Sequence, residues 1–109
     1  MSKPSVGVLE LATLLAVSRL EREAYGLAIR RDLTERLGRD YAAGAIYTTL
    51  QRLESKGLLT SRAGEPLPIR GGRARRLYAL TGAGSRAIGE ARKQSALIWS
   101  GVGPDARPA

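Results

Sequence analysis

The chain contains no cysteine and no histidine. The first absence removes disulfides and thiolate ligands, and the second leaves carboxylates alone to hold zinc, so metal sensing is not expected and no cofactor is implied. Catalysis is equally poorly provided for. A nucleophile or base would have to be Ser, Lys, Tyr or a carboxylate, and neither paired carboxylates nor a glycine-rich phosphate loop stands in a recognisable context. An enzyme is therefore not expected. Long apolar runs are missing too: residues 6–17 are the most apolar stretch, yet Glu10 and Thr13 interrupt them and they fall short of the roughly 20 residues a membrane span needs. The start, Met1-Ser2-Lys3-Pro4, is not followed by a small-residue cleavage signature. The expectation is a soluble, cytoplasmic protein with no membrane partner.

Acidic residues are scarce as well. Ten Asp and Glu face 18 Lys and Arg, a formal net charge of +8, and such a surface attracts polyanions. Nucleic acid and anionic membrane both fit that balance, so placement has to decide. A chain of 109 residues suits one domain with a modest core, which leaves room for stability drawn from a partner subunit.

Apolar residues occupy almost every side of a helix over residues 8–20, including Leu11 and Leu15, which marks a central helix buried on several faces and touching a second subunit. Residues 25–37 place Ile29, Leu33 and Leu37 four apart among charged neighbours, an amphipathic surface helix closed by Gly38. Residues 43–56 form the third helix, with Ile46, Leu50 and Leu53 on one stripe and Gly57 as its stop. Residues 59–62 can run on as a short strand. Residues 63–74, with Pro66, Pro68, Gly71 and Gly72, read as a loop, and residues 75–80 as a second strand, so the loop is a hairpin tip. Thr81 suits the N-cap of a last helix over residues 82–100, although Gly82 and Gly84 weaken its first turn.

Opposite the buried stripe of the third helix lie Gly44, Thr48, Gln51 and Ser55, flanked by Tyr47 and Arg52. These groups donate and accept hydrogen bonds, as a helix entering the major groove requires, and the small residues 42–45 would let its first turn approach a phosphate. Taken alone, the same face also fits an ordinary solvated helix. The hairpin tips the balance. Arg70, Arg73, Arg75 and Arg76 fall on it without an acidic neighbour, and Arg on a projecting loop reaches phosphates or a minor groove. The fold expected is mainly α with a small β-hairpin: a winged helix-turn-helix over residues 1–80, a C-terminal dimerisation helix over residues 81–102, and a disordered tail over residues 103–109.

The run from Gly44 through Ile46, Tyr47, Leu50, Gln51, Arg52, Leu53, Lys56 and Gly57 to Leu59 resembles the recognition helix and glycine stop of the PadR-type transcriptional regulators. Gly71-Gly72-Arg73-Ala74-Arg75-Arg76-Leu77-Tyr78-Ala79-Leu80-Thr81 is similar to that family's wing and its entry to the last helix, Tyr25-Gly26 to the start of its second helix, and residues 9–20 to its apolar first helix. Two departures stand out. Thr48 occupies a position where many members carry Pro, and residues 64–69 form a long, proline-rich wing insertion.

The resemblance implies a homodimer of the shorter class, with one helix after the wing pairing with its mate. Ile88, Ala91, Ser95, Ile98 and Val102 recur at spacings of three and four, a seam that packs on a partner or on its own domain. Trp99 beside it fits an interface or core anchor; the sharper alternative is a plate that stacks a small aromatic effector against its dimer mate. The expected function is a repressor occupying a pseudo-palindromic operator on double-stranded DNA. Thr48, Gln51 and Arg52 would approach bases, while Tyr47, Lys56, Arg70, Arg73 and Arg75 hold phosphates and Tyr25 and Gly44 lie at the contact. The competing expectation is an interaction module whose basic loop grips an acidic protein.

Overall fold

The computed structural model describes residues 6–66 and 74–109. Three helices come first, α1 (Val8–Leu20), α2 (Gly26–Leu37) and α3 (Ala43–Ser55), with a 3-10 turn, Glu21–Glu23, between α1 and α2. A hairpin of β1 (Leu59–Pro66) and β2 (Ala74–Leu80) follows, and α4 (Gly82–Trp99) ends the regular structure. None of the described helices is long and apolar enough to cross a membrane.

In α1 the buried residues are Thr13, Leu14, Ala16 and Val17, and Thr13 satisfies its hydroxyl by donating to the Leu9 carbonyl at 2.8 Å. Burial on every side is not what this chain achieves by itself. Leu11 and Leu15 are half-buried and Val8 is 87% exposed. The helix starts on Gly7, which has no side chain to cap with, and Glu10 supplies the missing acceptor for the Gly7 N–H at 3.2 Å.

Ile29 and Leu33 of α2 and Ile46, Leu50 and Leu53 of α3 meet Leu14 and Val17 in one core, which Leu58, Leu59 and Tyr78 close from the hairpin side. The end of α3 explains why a glycine and two leucines follow it. Gly57 takes a left-handed φ of 76°, its N–H donates to Glu54 and that of Leu58 donates to Leu53, so the last carbonyls are satisfied. Leu58 and Leu53 are both buried, as the apolar contact of such a stop requires. Across α1 and α2, Asp32 accepts from both Arg19 and Arg36 and so ties the two helices together.

The strands pair antiparallel from Leu59 opposite Leu80 to Pro66 opposite Ala74. The first strand is therefore longer than the sequence suggests. Gly64 and Glu65 together oppose the single residue Arg75, a bulge, and a Cβ on Gly64 would lie 2.9 Å from Leu77 Cδ1 and 3.1 Å from the Arg75 carbonyl. Pro66 is tolerated because it ends a strand in a two-stranded sheet.

Thr81 is the N-cap of α4, its Oγ1 accepting the Gly84 N–H at 3.0 Å. The same hydroxyl donates to the Gly57 carbonyl at 2.6 Å, and the Thr81 N–H donates to the Leu58 carbonyl at 3.2 Å. The base of α4 is thus hydrogen-bonded to the turn that stops α3. Ala83, Ala87 and Ile88 pack on the core, whereas every residue from Arg92 onward is exposed. The radius of gyration is 16.2 Å against roughly 13 Å for a compact chain of this length, and the far half of α4 together with the residues after it is exposed.

Candidate nucleic-acid interface

The buried stripe of α3 leaves its opposite side to solvent, and there Gly44, Tyr47, Thr48, Gln51, Arg52 and Ser55 are all exposed. Tyr47 is 59% exposed, a large amphipathic ring with no packing role to hold it inside. Residues 42–45 carry little bulk, so the first turn of α3 has an open approach. Of the carboxylates near this face, Glu54 is turned away. Glu54 accepts a 2.7 Å hydrogen bond from Ser61 Oγ, which in turn accepts from Arg76 Nη1 at 3.0 Å. Arg76 is thereby committed to joining the hairpin to α3.

Lys56, expected on phosphate, donates to Glu10 Oε2 at 2.7 Å in the described structure. That ammonium, with the Gly7 N–H and the nearby Arg52 charge, holds the Glu10 carboxyl below the usual carboxylate range, against the opposing effect of partial burial. The pairing was not visible in the sequence, since 46 residues separate the partners. Its signal was indirect: an acid placed early in an otherwise apolar helix needs a cation. Asp32 is the second acid that sequence reasoning passed over, and Arg19 foremost holds its carboxyl low as well.

Tyr25 and Arg75 are brought together. The Arg75 guanidinium lies over the Tyr25 ring, 4.3 Å from its centroid, while both residues remain partly or fully accessible. The backbone explains the meeting. Tyr25 forms an isolated antiparallel bridge with Leu77, and the Tyr78 N–H donates to the Ala24 carbonyl at 2.8 Å, so the start of α2 runs alongside β2. Arg70 and Arg73, also expected on DNA, lie outside the described residues.

On α4, Ile88 is half-buried against the core and Ala91 half-buried beyond it, while Ser95, Ile98 and Trp99 are exposed. Ile98 is 77% and Trp99 64% exposed. Val102 is exposed too, but Trp99 ends the helix and the Val102 N–H donates back to the Trp99 carbonyl, so the last member of the seam sits on a turn. With Leu97 these residues form an apolar end on the projecting helix. Among the described residues no cluster of acidic side chains could hold a metal ion.

Residues 14–90 match the transcriptional regulator PadR-like family. The transcriptional regulator Rv3488 of Mycobacterium tuberculosis is 38% identical over 73 residues, which are 67% of this chain and 64% of that protein. The X-ray structure of a PadR-like transcription factor from Bacteroides fragilis superposes with a TM-score of 0.73 at 29% identity, covering 84% of each chain. A PadR family transcriptional regulator from Eggerthella lenta gives 0.65 at 35% identity, covering 87% of this chain and 84% of that one.

Proposed function

Because the chain belongs to the PadR-like family of transcriptional regulators, we propose that it binds duplex DNA as a homodimer and represses transcription from a pseudo-palindromic operator. The observation that carries this reading is the division of α3: Ile46, Leu50 and Leu53 are buried, and Thr48, Gln51 and Arg52 stand exposed on the far side, with the Glu54 carboxylate hydrogen-bonded away. A helix so presented fits the major groove, where Gln and Arg discriminate bases through paired donors and acceptors. Tyr47, Arg75 and, after exchange of its carboxylate for a phosphate, Lys56 hold the backbone of the duplex. Arg70 and Arg73 belong to the same basic wing in sequence.

The dimer is formed by the apolar end of α4, Ile98, Trp99 and Val102, continuing the seam from Ala91 and Ser95 toward the half-buried Leu11 and Leu15 of the mate. A groove of about 610 Å³ along the base of α4 has Val6, Leu58, Ala83 and Ala87 on its floor and a charged rim that includes Arg86, Glu90 and Lys93, so it offers a partner mixed rather than purely apolar surface. Two recognition helices would then fall about one helical turn of DNA, roughly 34 Å, apart. A small aromatic effector stacked between Trp99 and its mate would release the operator.

The test is selection of bound fragments from the source genome, followed by anisotropy titrations against a selected fragment and a scrambled one. Gln51→Ala is expected to change preference among sequences, because a base contact specifies. Equal loss on both duplexes removes Gln51 from the base-reading set, and binding that never rises above the non-specific level overturns the reading. Quenching of the single Trp by a panel of planar aromatics tests the effector.

A further inference from the structure

We infer that Tyr25 serves DNA binding as a positioning residue, its ring acting as a platform that aims Arg75 at a backbone phosphate, and not by touching DNA itself. The inference rests on the DNA-binding reading above. Three observations converge on it. The bridge between Tyr25 and Leu77 places both side chains on one face of the ladder, and Arg75, two residues from Leu77 along β2, shares that face as the diagonal neighbour of Tyr25. Diagonal neighbours are within reach of an aromatic ring and a long side chain, and the guanidinium lies 4.3 Å from the ring centroid. Opposite Arg75 the first strand bulges at Gly64 and Glu65, which interrupts the regular pairing at that residue and increases the local twist.

The two adjacent arginines of β2 are thereby assigned different tasks. Arg76, pointing to the other face, joins Ser61 and Glu54 and locks the hairpin to α3. Arg75 is exposed, no described carboxylate pairs with it, and its partner is a neutral ring that fixes its direction while leaving its charge uncompensated. A guanidinium over a ring still directs its N–H edge outward, where it can meet a phosphate oxygen in a bidentate manner. The register makes the arrangement all-or-none: a slip of one residue would put Arg75 on the opposite face.

The experiment measures binding to a mixed-sequence duplex of about 30 base pairs between roughly 50 and 200 mM salt. Tyr25→Phe keeps the ring and is expected to bind like the parent, whereas Tyr25→Leu is expected to lose roughly two- to fivefold. Arg75→Gln should flatten the slope of log affinity against log salt by about 0.9, and in that background Tyr25→Leu should cost nothing more. Independently of DNA, ring-current displacement of the Arg75 side-chain proton resonances should be present in the parent and in Tyr25→Phe and vanish in Tyr25→Leu. Loss of binding in Tyr25→Phe assigns the phenol to DNA directly and overturns the inference; so does an equal loss from Tyr25→Leu with and without Arg75. A parent protein that shows no salt-dependent binding overturns the DNA reading as well. Should Tyr25→Leu fail to fold, Tyr25→Met carries the test, since it keeps the apolar bulk but gives up the ring; binding equal to the parent then refutes the platform.

Discussion

Replacing Gly84 by Ala should damage the fold at the joint between α3 and α4. In an unobstructed helix the change is favourable by up to about 1 kcal/mol, because glycine has more backbone freedom to lose. At Gly84 the new Cβ would stand 2.1 Å from the Leu58 carbonyl oxygen, 3.1 Å from its carbon and 3.4 Å from Leu80 Cδ2. An ordinary carbon–oxygen contact is about 3.3 Å or more, so the overlap exceeds about 1 Å. The Leu58 oxygen is backbone and the position of a Cβ is fixed by its own backbone, so neither can rotate away. The first turn of α4 has to move, stretching the bond from the Gly84 N–H to Thr81 and that from the Thr81 N–H to Leu58. Overpacking of this kind costs about 1–3 kcal/mol, and weakened hydrogen bonds add about 0.5–1.5 kcal/mol each. After the helical gain is subtracted, a net loss of about 1–5 kcal/mol remains, and each kcal/mol lowers Tm by about 4–8 °C in a domain this small. The control is Gly89→Ala in the same helix, where a Cβ meets nothing within 4 Å of the chain and the favourable propensity stands alone. Urea denaturation followed by circular dichroism, at one fixed protein concentration so that association does not differ, compares the two. A Gly84→Ala protein as stable as Gly89→Ala would refute the close approach of α4 to Leu58.

Gly44→Ala should raise thermal stability by up to about 1 kcal/mol, since a Cβ there meets nothing within 4 Å, and yet weaken duplex binding, because the added methyl stands on the turn of α3 proposed to approach DNA. Melting curves and anisotropy titrations on the same preparation check both signs, and unchanged binding would move that turn away from the duplex. Lys56→Gln should weaken duplex binding and flatten the salt slope by up to about 0.9, since it removes a charge proposed to meet phosphate; an unchanged slope would leave Lys56 out of the contact. Arg19 and Arg36 hold the Asp32 carboxyl below its ordinary range, and a carboxylate so lowered stabilises the fold fully above that range and loses the effect as pH falls through the lowered value. Asp32→Asn should therefore lower stability at neutral pH and flatten the acid limb of a denaturant-midpoint profile. A parallel profile would show that the ion pairs contribute nothing.

What the sequence made legible was local. Thr81 as a cap, Gly38 and Gly57 as stops and the Ile46–Leu50–Leu53 stripe are all decided within a turn or two of chain, and the structure places them as expected. The exposed face of α3 follows from that stripe by geometry alone. What lay beyond reach was whatever joins distant segments. Gly84 reads as a weakness in a helix until Leu58 is seen against it, and Lys56 reads as a phosphate contact until Glu10 is seen beside it. Residues 63–66 look like loop because Gly and Pro discourage strands, but a bulge opposite Arg75 lets the pairing continue to Pro66. The meeting of Tyr25 with Arg75 depends on a single bridge between segments some fifty residues apart, which no periodicity records.

The triple attachment at Thr81 turns two helices into one mechanical part. Its hydroxyl and N–H seize the Gly57 and Leu58 carbonyls, and Gly84 seats α4 directly on that corner, so α4 has no soft elbow at its base. An 18-residue helix is about 27 Å long, and a swing of about 5° at its root moves its far end by about 2 Å. Run in reverse, a displacement of that size imposed on Trp99 twists the corner and, with it, the last turn of α3. Under the proposed reading, the helix that carries Trp99 and the helix that approaches DNA would share one corner, with the long arm on the side of the tryptophan.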